Sequence, residues 1–137
     1  PRQRPDMAFH RFMRAALRDE PLPLYGDGTQ TRDFTYVSDL VQANIAAMAY
    51  DKHGTVFNVG GAATASVNEV LGMIEELAGR PLRIERLPGQ PGDPHATRAD
   101  TALARRELGY APAVPLKEGL ARQWAYMRQL YEGGAQG

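Results

Sequence analysis

Thr55 to Val59 reads Thr-Val-Phe-Asn-Val and stops at Gly60-Gly61. A short unbroken run rich in β-branched and aromatic residues fits a strand covered on both faces, which is the pattern of a parallel sheet. That reading is demanding, because a parallel strand needs neighbours reached by long crossover connections. The remaining strand signals are few: an edge strand at 23 to 25, a second at 34 to 37, and a half-exposed one at 82 to 87. The partners of 55 to 59 are therefore expected upstream of Pro1. The opening string Pro-Arg-Gln-Arg-Pro has no methionine and reads as the interior of a longer chain, a fragment or a processed product.

Helical signals separate these strands. Phe9, Phe12, Met13, Ala16 and Leu17 recur at helical spacing, with Asp6 placed to cap a helix starting near it. Pro21 and Pro23 exclude helix across the next segment, and Gly26-Asp27-Gly28 turns the chain. Ser38 or Asp39 is expected to cap a helix reaching about Tyr50. Its apolar residues Leu40, Val41, Ala43, Ile45, Ala47 and Met48 lie on more than one side, which implies burial on more than one side. Ser66 and Glu69 form a capping box ahead of the stripe Val67, Val70, Leu71, Ile74 and Leu77, and Gly79 with Pro81 ends that helix. Leu82, Ile84 and Leu87 share the next segment with Arg83, Glu85 and Arg86, the mix of a half-exposed strand. Asp100 caps a helix that Gly109 ends, and Leu116, Leu120, Trp124, Met127 and Tyr131 make a last amphipathic helix. The fold class is a mixed α/β arrangement in one region of 137 residues, with no internal repeat.

Charge narrows the function. Sixteen basic and sixteen acidic residues cancel, so the chain lacks the broad positive field that draws nucleic acid or an anionic membrane. No nucleic-acid or membrane partner is expected, and no run approaches the roughly 18 apolar residues of a membrane span. The absence of cysteine removes disulfides and thiolate chemistry and fits a cytoplasmic location. His10, His53 and His95 are scattered without carboxylate spacing, so no metal site is expected.

An anion site must then be local. Arg32 stands between the Gly26-Asp27-Gly28 turn and a helix start, where a permanently charged, flat fork of donors can meet a phosphate or carboxylate. The competing reading is a surface arginine paired with a neighbouring carboxylate, which contributes little. Pro88, Pro91 and Pro94 stiffen the loop Gln90-Pro91-Gly92-Asp93, whose Asp93 could accept hydroxyls of a sugar or simply close a turn. Arg2 and Arg4 precede a predicted helix N-terminus that already favours anions. The Gly89 and Gly92 pair lies among prolines that prevent a phosphate-cradling strand-to-helix turn, and no catalytic group stands out.

Five strings in order, PRQRPDMAF, LYGDGTQTRDFTYVSD, FNVGG, QPGD followed by TRAD, and LGYAPAVPLKEGL, resemble the C-terminal portion of the NAD-dependent nucleotide-sugar epimerase/dehydratase family, the extended short-chain dehydrogenases. The likeness is nearest to UDP-glucose and UDP-glucuronate 4-epimerases and covers nearly the whole chain. It implies the C-terminal part of an extended Rossmann-type enzyme: a small mixed α/β substrate-binding region, plus a helix and strand completing a parallel sheet. It further implies that residues 38 to 60 pack on an NAD-binding domain absent from this chain. By the same resemblance Arg32 meets the diphosphate of a UDP-sugar substrate. Pro23, Leu24 and Tyr25 present their backbone to the uracil, Asp6 and Met7 lie near the diphosphate, and Asp93 contacts phosphate or ribose. Gln90 stands where many members have arginine, so a neutral hydrogen bond replaces a charged one. Thr97 falls near the sugar, and Arg4 is a candidate for facing a substrate carboxylate. The glycine-rich dinucleotide loop and the Tyr-x-x-x-Lys pair are absent, so no catalytic or cofactor-binding residue is assigned here. In the complete enzyme that tyrosine would take a sugar hydroxyl proton while NAD takes and returns the hydride. UDP-glucuronate decarboxylase, a nucleotide-sugar 4,6-dehydratase and a noncatalytic truncated binding module are the alternatives. The family implies a homodimeric parent.

Overall fold

A computed structural model describes residues 7–62, 64–89, 92 and 94–132. The elements run α1 (Ala8–Arg18), β1 (Leu22–Tyr25), β2 (Thr31–Asp33), α2 (Val37–Met48), β3 (Thr64–Ser66), α3 (Val67–Ala78), β4 (Ile84–Leu87), α4 (Ala102–Leu108) and α5 (Leu116–Glu132). No described helix is long and apolar enough to cross a membrane. The chain divides into two compact units. One holds the residues through Gln30, Ser66 to Pro94 and from Leu120 onward; the other holds Thr31 to Ala65 and His95 to Gly119.

In the first unit β1 and β4 pair in parallel, Leu22 opposite Ile84 through Tyr25 opposite Leu87. Here is the parallel pairing that the sequence asked for, made by other segments. The helix α1 packs against β1 and α3. Its apolar face buries Phe12, Met13, Ala15 and Ala16, and α3 buries Val70, Leu71 and Ile74. Each large side chain so removed from water contributes about 1.5–3 kcal/mol. The helix α1 begins at Ala8 with Met7 as its N-cap residue and no side-chain cap; Asp6 lies outside the described residues. The capping box on α3 forms as its sequence requires. The Glu69 N–H donates to Ser66 Oγ at 3.2 Å, and the Ser66 N–H donates to Glu69 Oε2 at 2.7 Å. Gly79, in the left-handed conformation, ends that helix.

In the second unit β2 and β3 form a two-stranded sheet, and α2 packs on α4. A small core joins Ala43, Ala104 and Tyr110, with Phe57 and Val59 against it. Three expectations fail here. The strand expected at 34 to 37 lies earlier, at Thr31–Asp33, because Val37 already belongs to α2. The N-cap residue of α2 is Tyr36, so neither Ser38 nor Asp39 caps it, and the helix stops at Met48. Asp39 is instead buried, and its Oδ2 accepts the Val114 N–H at 3.2 Å.

The third failure is larger. Residues 55 to 59 form no strand, and Val56 is 81% exposed. A parallel strand is stable only with a partner on its edge, and none of the described segments supplies one. Val37, Leu40, Val41, Ile45 and Met48 are likewise exposed. They share one face of α2, and only Asp39 and Ala43, on the opposite side, are buried. On α4 the N-cap residue is Thr101, with Asp100 Oδ1 accepting the Ala102 N–H at 3.0 Å, and Gly109 ends the helix.

Candidate functional site

In the first unit, the turn after β1 depends on glycine. Gly26 and Gly28 take φ of 76° and 79°, a region side chains resist. Asp27 closes the turn, its Oδ1 accepting from the Thr29 N–H at 2.9 Å and the Thr29 hydroxyl at 2.7 Å. Its carbonyl oxygen accepts from Asn68 Nδ2 and Arg86 Nη1, each at 3.0 Å. The Asn68 N–H also donates to the Gly28 carbonyl at 3.0 Å. Two elements distant in sequence, the start of α3 and the strand β4, thus hold the turn rigid. Asn68 and Arg86 were not legible as turn anchors, since both lie more than 40 residues away in the chain.

Pro23, Leu24 and Tyr25 all fall on β1. Leu24 is buried and Tyr25 is exposed, so Leu24 can offer a ligand only its backbone. The Tyr25 carbonyl accepts from Gln30 Nε2 at 3.2 Å. Met7 precedes α1 and is exposed. Arg4, Asp6, Gln90 and Asp93 lie outside the described residues.

In the second unit, Arg32 is the middle residue of β2 and is half-buried. Its Nη1 donates to the Thr31 carbonyl at 2.8 Å, which draws the guanidinium along its own strand. Thr97 lies close by: Thr31 bridges Ala96, and the Thr97 N–H donates to the Thr31 carbonyl at 3.2 Å. The structure therefore brings Arg32 and Thr97 together through Thr31, although 65 residues separate them (97 − 32).

Asp33, which in the sequence stands out only as a neighbour of Arg32, ties two distant segments together with its two carboxylate oxygens. Oδ1 accepts the Gly61 N–H at 2.6 Å, and Oδ2 accepts the Ala99 N–H at 3.2 Å. Gly60 and Gly61 are needed for close approach. A Cβ on Gly61 would meet the Phe34 carbonyl oxygen, and one on Gly60 would meet the Asp33 carboxylate. The buried Tyr110 hydroxyl donates to the Gly60 carbonyl at 2.6 Å. Burial, then the carboxylates of Asp39 and Asp33, raise the Tyr110 pKa above its ordinary value, so the phenol stays a donor. The Gly60-Gly61 pair was the visible signal for this network.

Residues 1–60 match the NAD dependent epimerase/dehydratase family. The chain is 45% identical over 135 residues to a protein of Bacillus subtilis (strain 168) described as the uncharacterized UDP-glucose epimerase YtcB, spanning 97% of this chain and 42% of that one. It is 34% identical over 122 residues to the UDP-glucuronate 4-epimerase of Thermodesulfobacterium geofontis (strain OPF15), spanning 89% of this chain and 38% of that one. Its structure superposes with a TM-score of 0.90 on UDP-glucuronic acid 4-epimerase from Bacillus cereus in complex with UDP-glucuronic acid and NAD. The identity is 44%, over 96% of this chain and 42% of that one. The chain thus spans about two fifths of the length of these relatives. With the Rossmann-type resemblance read from its five strings and the mixed α/β structure in agreement, the chain belongs to the NAD dependent epimerase/dehydratase family.

Proposed function

We propose that this chain is the nucleotide-sugar-binding part of an NAD-dependent UDP-hexose or UDP-hexuronate 4-epimerase. The observation that carries the reading is Arg32, fixed in the middle of β2 between residues that are themselves tied to the 95 to 99 segment. A guanidinium on a fixed backbone can pair with a diphosphate in two parallel hydrogen bonds at little ordering cost. The relatives' ligands agree in chemistry, since the Bacillus cereus enzyme was solved with UDP-glucuronic acid and NAD. In this assignment Pro23, Leu24 and Tyr25 offer backbone groups to the uracil. Thr97 lies near the sugar, Met7 and Asp6 near the diphosphate, and Asp93 and Gln90 near phosphate or ribose. Arg4 faces the carboxylate of a uronate substrate.

The residues present do not fit NAD. The chain has no glycine-rich dinucleotide loop and no tyrosine with a lysine four residues on, so no step of hydride chemistry is assigned to it. NAD and the catalytic pair belong to a domain outside these residues, and residues 38 to 60 pack on that domain. The exposed apolar face of α2 supports this placement. The complete protein works as a cytoplasmic homodimer.

Calorimetric titration of the complete natural polypeptide with UDP, UDP-glucuronate and UDP-glucose tests the reading. Arg32→Ala is expected to cost about 2–4 kcal/mol of affinity for each. A loss of only a few tenths would return Arg32 to a surface ion pair. Conversion of UDP-glucuronate to its 4-epimer, rather than release of carbon dioxide, separates epimerase from decarboxylase.

A further inference from the structure

We propose that Asp33 is a positioning residue for Arg32, a role that rests on the assignment of Arg32 to the diphosphate. The strand β2 has three residues, too few for a ladder alone to fix its middle side chain. What fixes it is bonding on either side. Thr31 donates its N–H to the His95 carbonyl at 2.9 Å and accepts the Thr97 N–H at 3.2 Å. Asp33 then reaches the same segment at the Ala99 N–H, and reaches Gly61 with its other oxygen.

Both bonds run from peptide N–H groups to a carboxylate, which is the stronger, charge-assisted kind. The carboxylate also has little room to turn. The space that a Cβ on Gly60 would need is taken by Asp33 itself and by the Ala99 methyl group, while Tyr110 holds the Gly60 carbonyl from behind. Because side chains alternate along a strand, Arg32 projects from the face opposite Asp33. A shift of the Asp33 anchor is therefore transmitted through one peptide unit to the Arg32 Cα, and to the direction of the guanidinium. The same anchor sets the segment that carries Thr97. Asp33 thus never touches the nucleotide and acts through its neighbour.

The test is a double-mutant cycle read by UDP titration of the complete natural polypeptide, with Asp33→Asn, Arg32→Ala and both. Asparagine keeps the shape but cannot accept at both positions. The expected result is about tenfold weaker UDP binding for Asp33→Asn alone. In the Arg32→Ala background the same change should cost less than about twofold, because its target is gone. Uridine, which has no phosphate, should bind the Asp33→Asn protein unchanged. A purely structural role would weaken uridine and UDP alike and would act equally in both backgrounds, and either result overturns the proposal. Unchanged UDP binding by Asp33→Asn also overturns it. If Arg32→Ala alone leaves UDP binding intact, the diphosphate assignment fails and takes this role with it, an outcome distinct from an additive cycle. Should Asp33→Asn fail to fold, Asp33→Glu, which keeps the charge but misplaces it, goes through the same cycle with the same two readings.

Discussion

Gly61 lies so close to the Phe34 carbonyl oxygen that even one added methyl group would collide with backbone. Backbone cannot swing aside as a flexible side chain can. Gly61→Ala should therefore destabilise the protein by about 1–3 kcal/mol, the usual range for overpacking, seen as a lower urea midpoint at unchanged slope. A second residue-scale effect depends on pH. His10 is buried in the first unit, with Nε2 2.8 Å from the Tyr131 hydroxyl. Burial first, and the Arg14 cation second, lower its pKa below the ordinary 6.5. The folded state then binds this proton less readily than the unfolded chain. The contribution of His10 is fully present above pH 6.5 and is lost as pH falls through the lowered value. The thermal midpoint should rise with pH across that window, and His10→Phe should flatten the rise. Glu69 and Glu107, whose carboxyls are held below their ordinary 4.5 by hydrogen bonds, act only at more acid pH. A slope that survives His10→Phe would exclude His10 as its source.

At the scale of elements, local chemistry was legible wherever the deciding contact was local. The start of α3 is the clearest instance, because Ser66 and Glu69 satisfy each other's backbone within three residues. Ser66→Ala should cost about 1 kcal/mol, measured by urea unfolding, while Ser66→Asp, which keeps an acceptor, should cost much less. The ends of α3 and α4 at Gly79 and Gly109 were legible for the same reason. The strand β3 was not, since Thr64-Ala65-Ser66 has none of the apolar alternation that marks a strand. Nor was Asp33, whose two bonds reach 28 and 66 residues along the chain. Its neighbour Arg32 stands out in the sequence only as a candidate, because charge and turn lie side by side there. The opposite error, a strand at 55 to 59, has a physical source as well. The residues have the right composition, and Phe57 and Val59 do pack on the small core, but no described strand lies beside them to complete a ladder.

At the scale of the whole molecule, the exposed face of α2 decides most. Val37, Leu40, Val41, Ile45 and Met48 present one apolar face of α2 to solvent, and Met48 is 87% exposed. Single exposed apolar residues are ordinary, whereas several on one helix face mark a surface that is covered by something. If a cofactor domain covers it in the complete polypeptide, Ile45→Lys should have opposite consequences in two contexts. In the 137-residue chain alone, lysine replaces a solvated isoleucine, so stability should change by no more than about 0.5 kcal/mol. Concentration-dependent association, followed by sedimentation velocity, should diminish as the apolar face is broken. In the complete polypeptide the same lysine would be driven into a packed interface, and its thermal midpoint should fall by several degrees, corresponding to about 2 kcal/mol or more. Equal, small effects in both contexts would mean that the α2 face stays in water, and the packing assigned to residues 38 to 60 would be wrong.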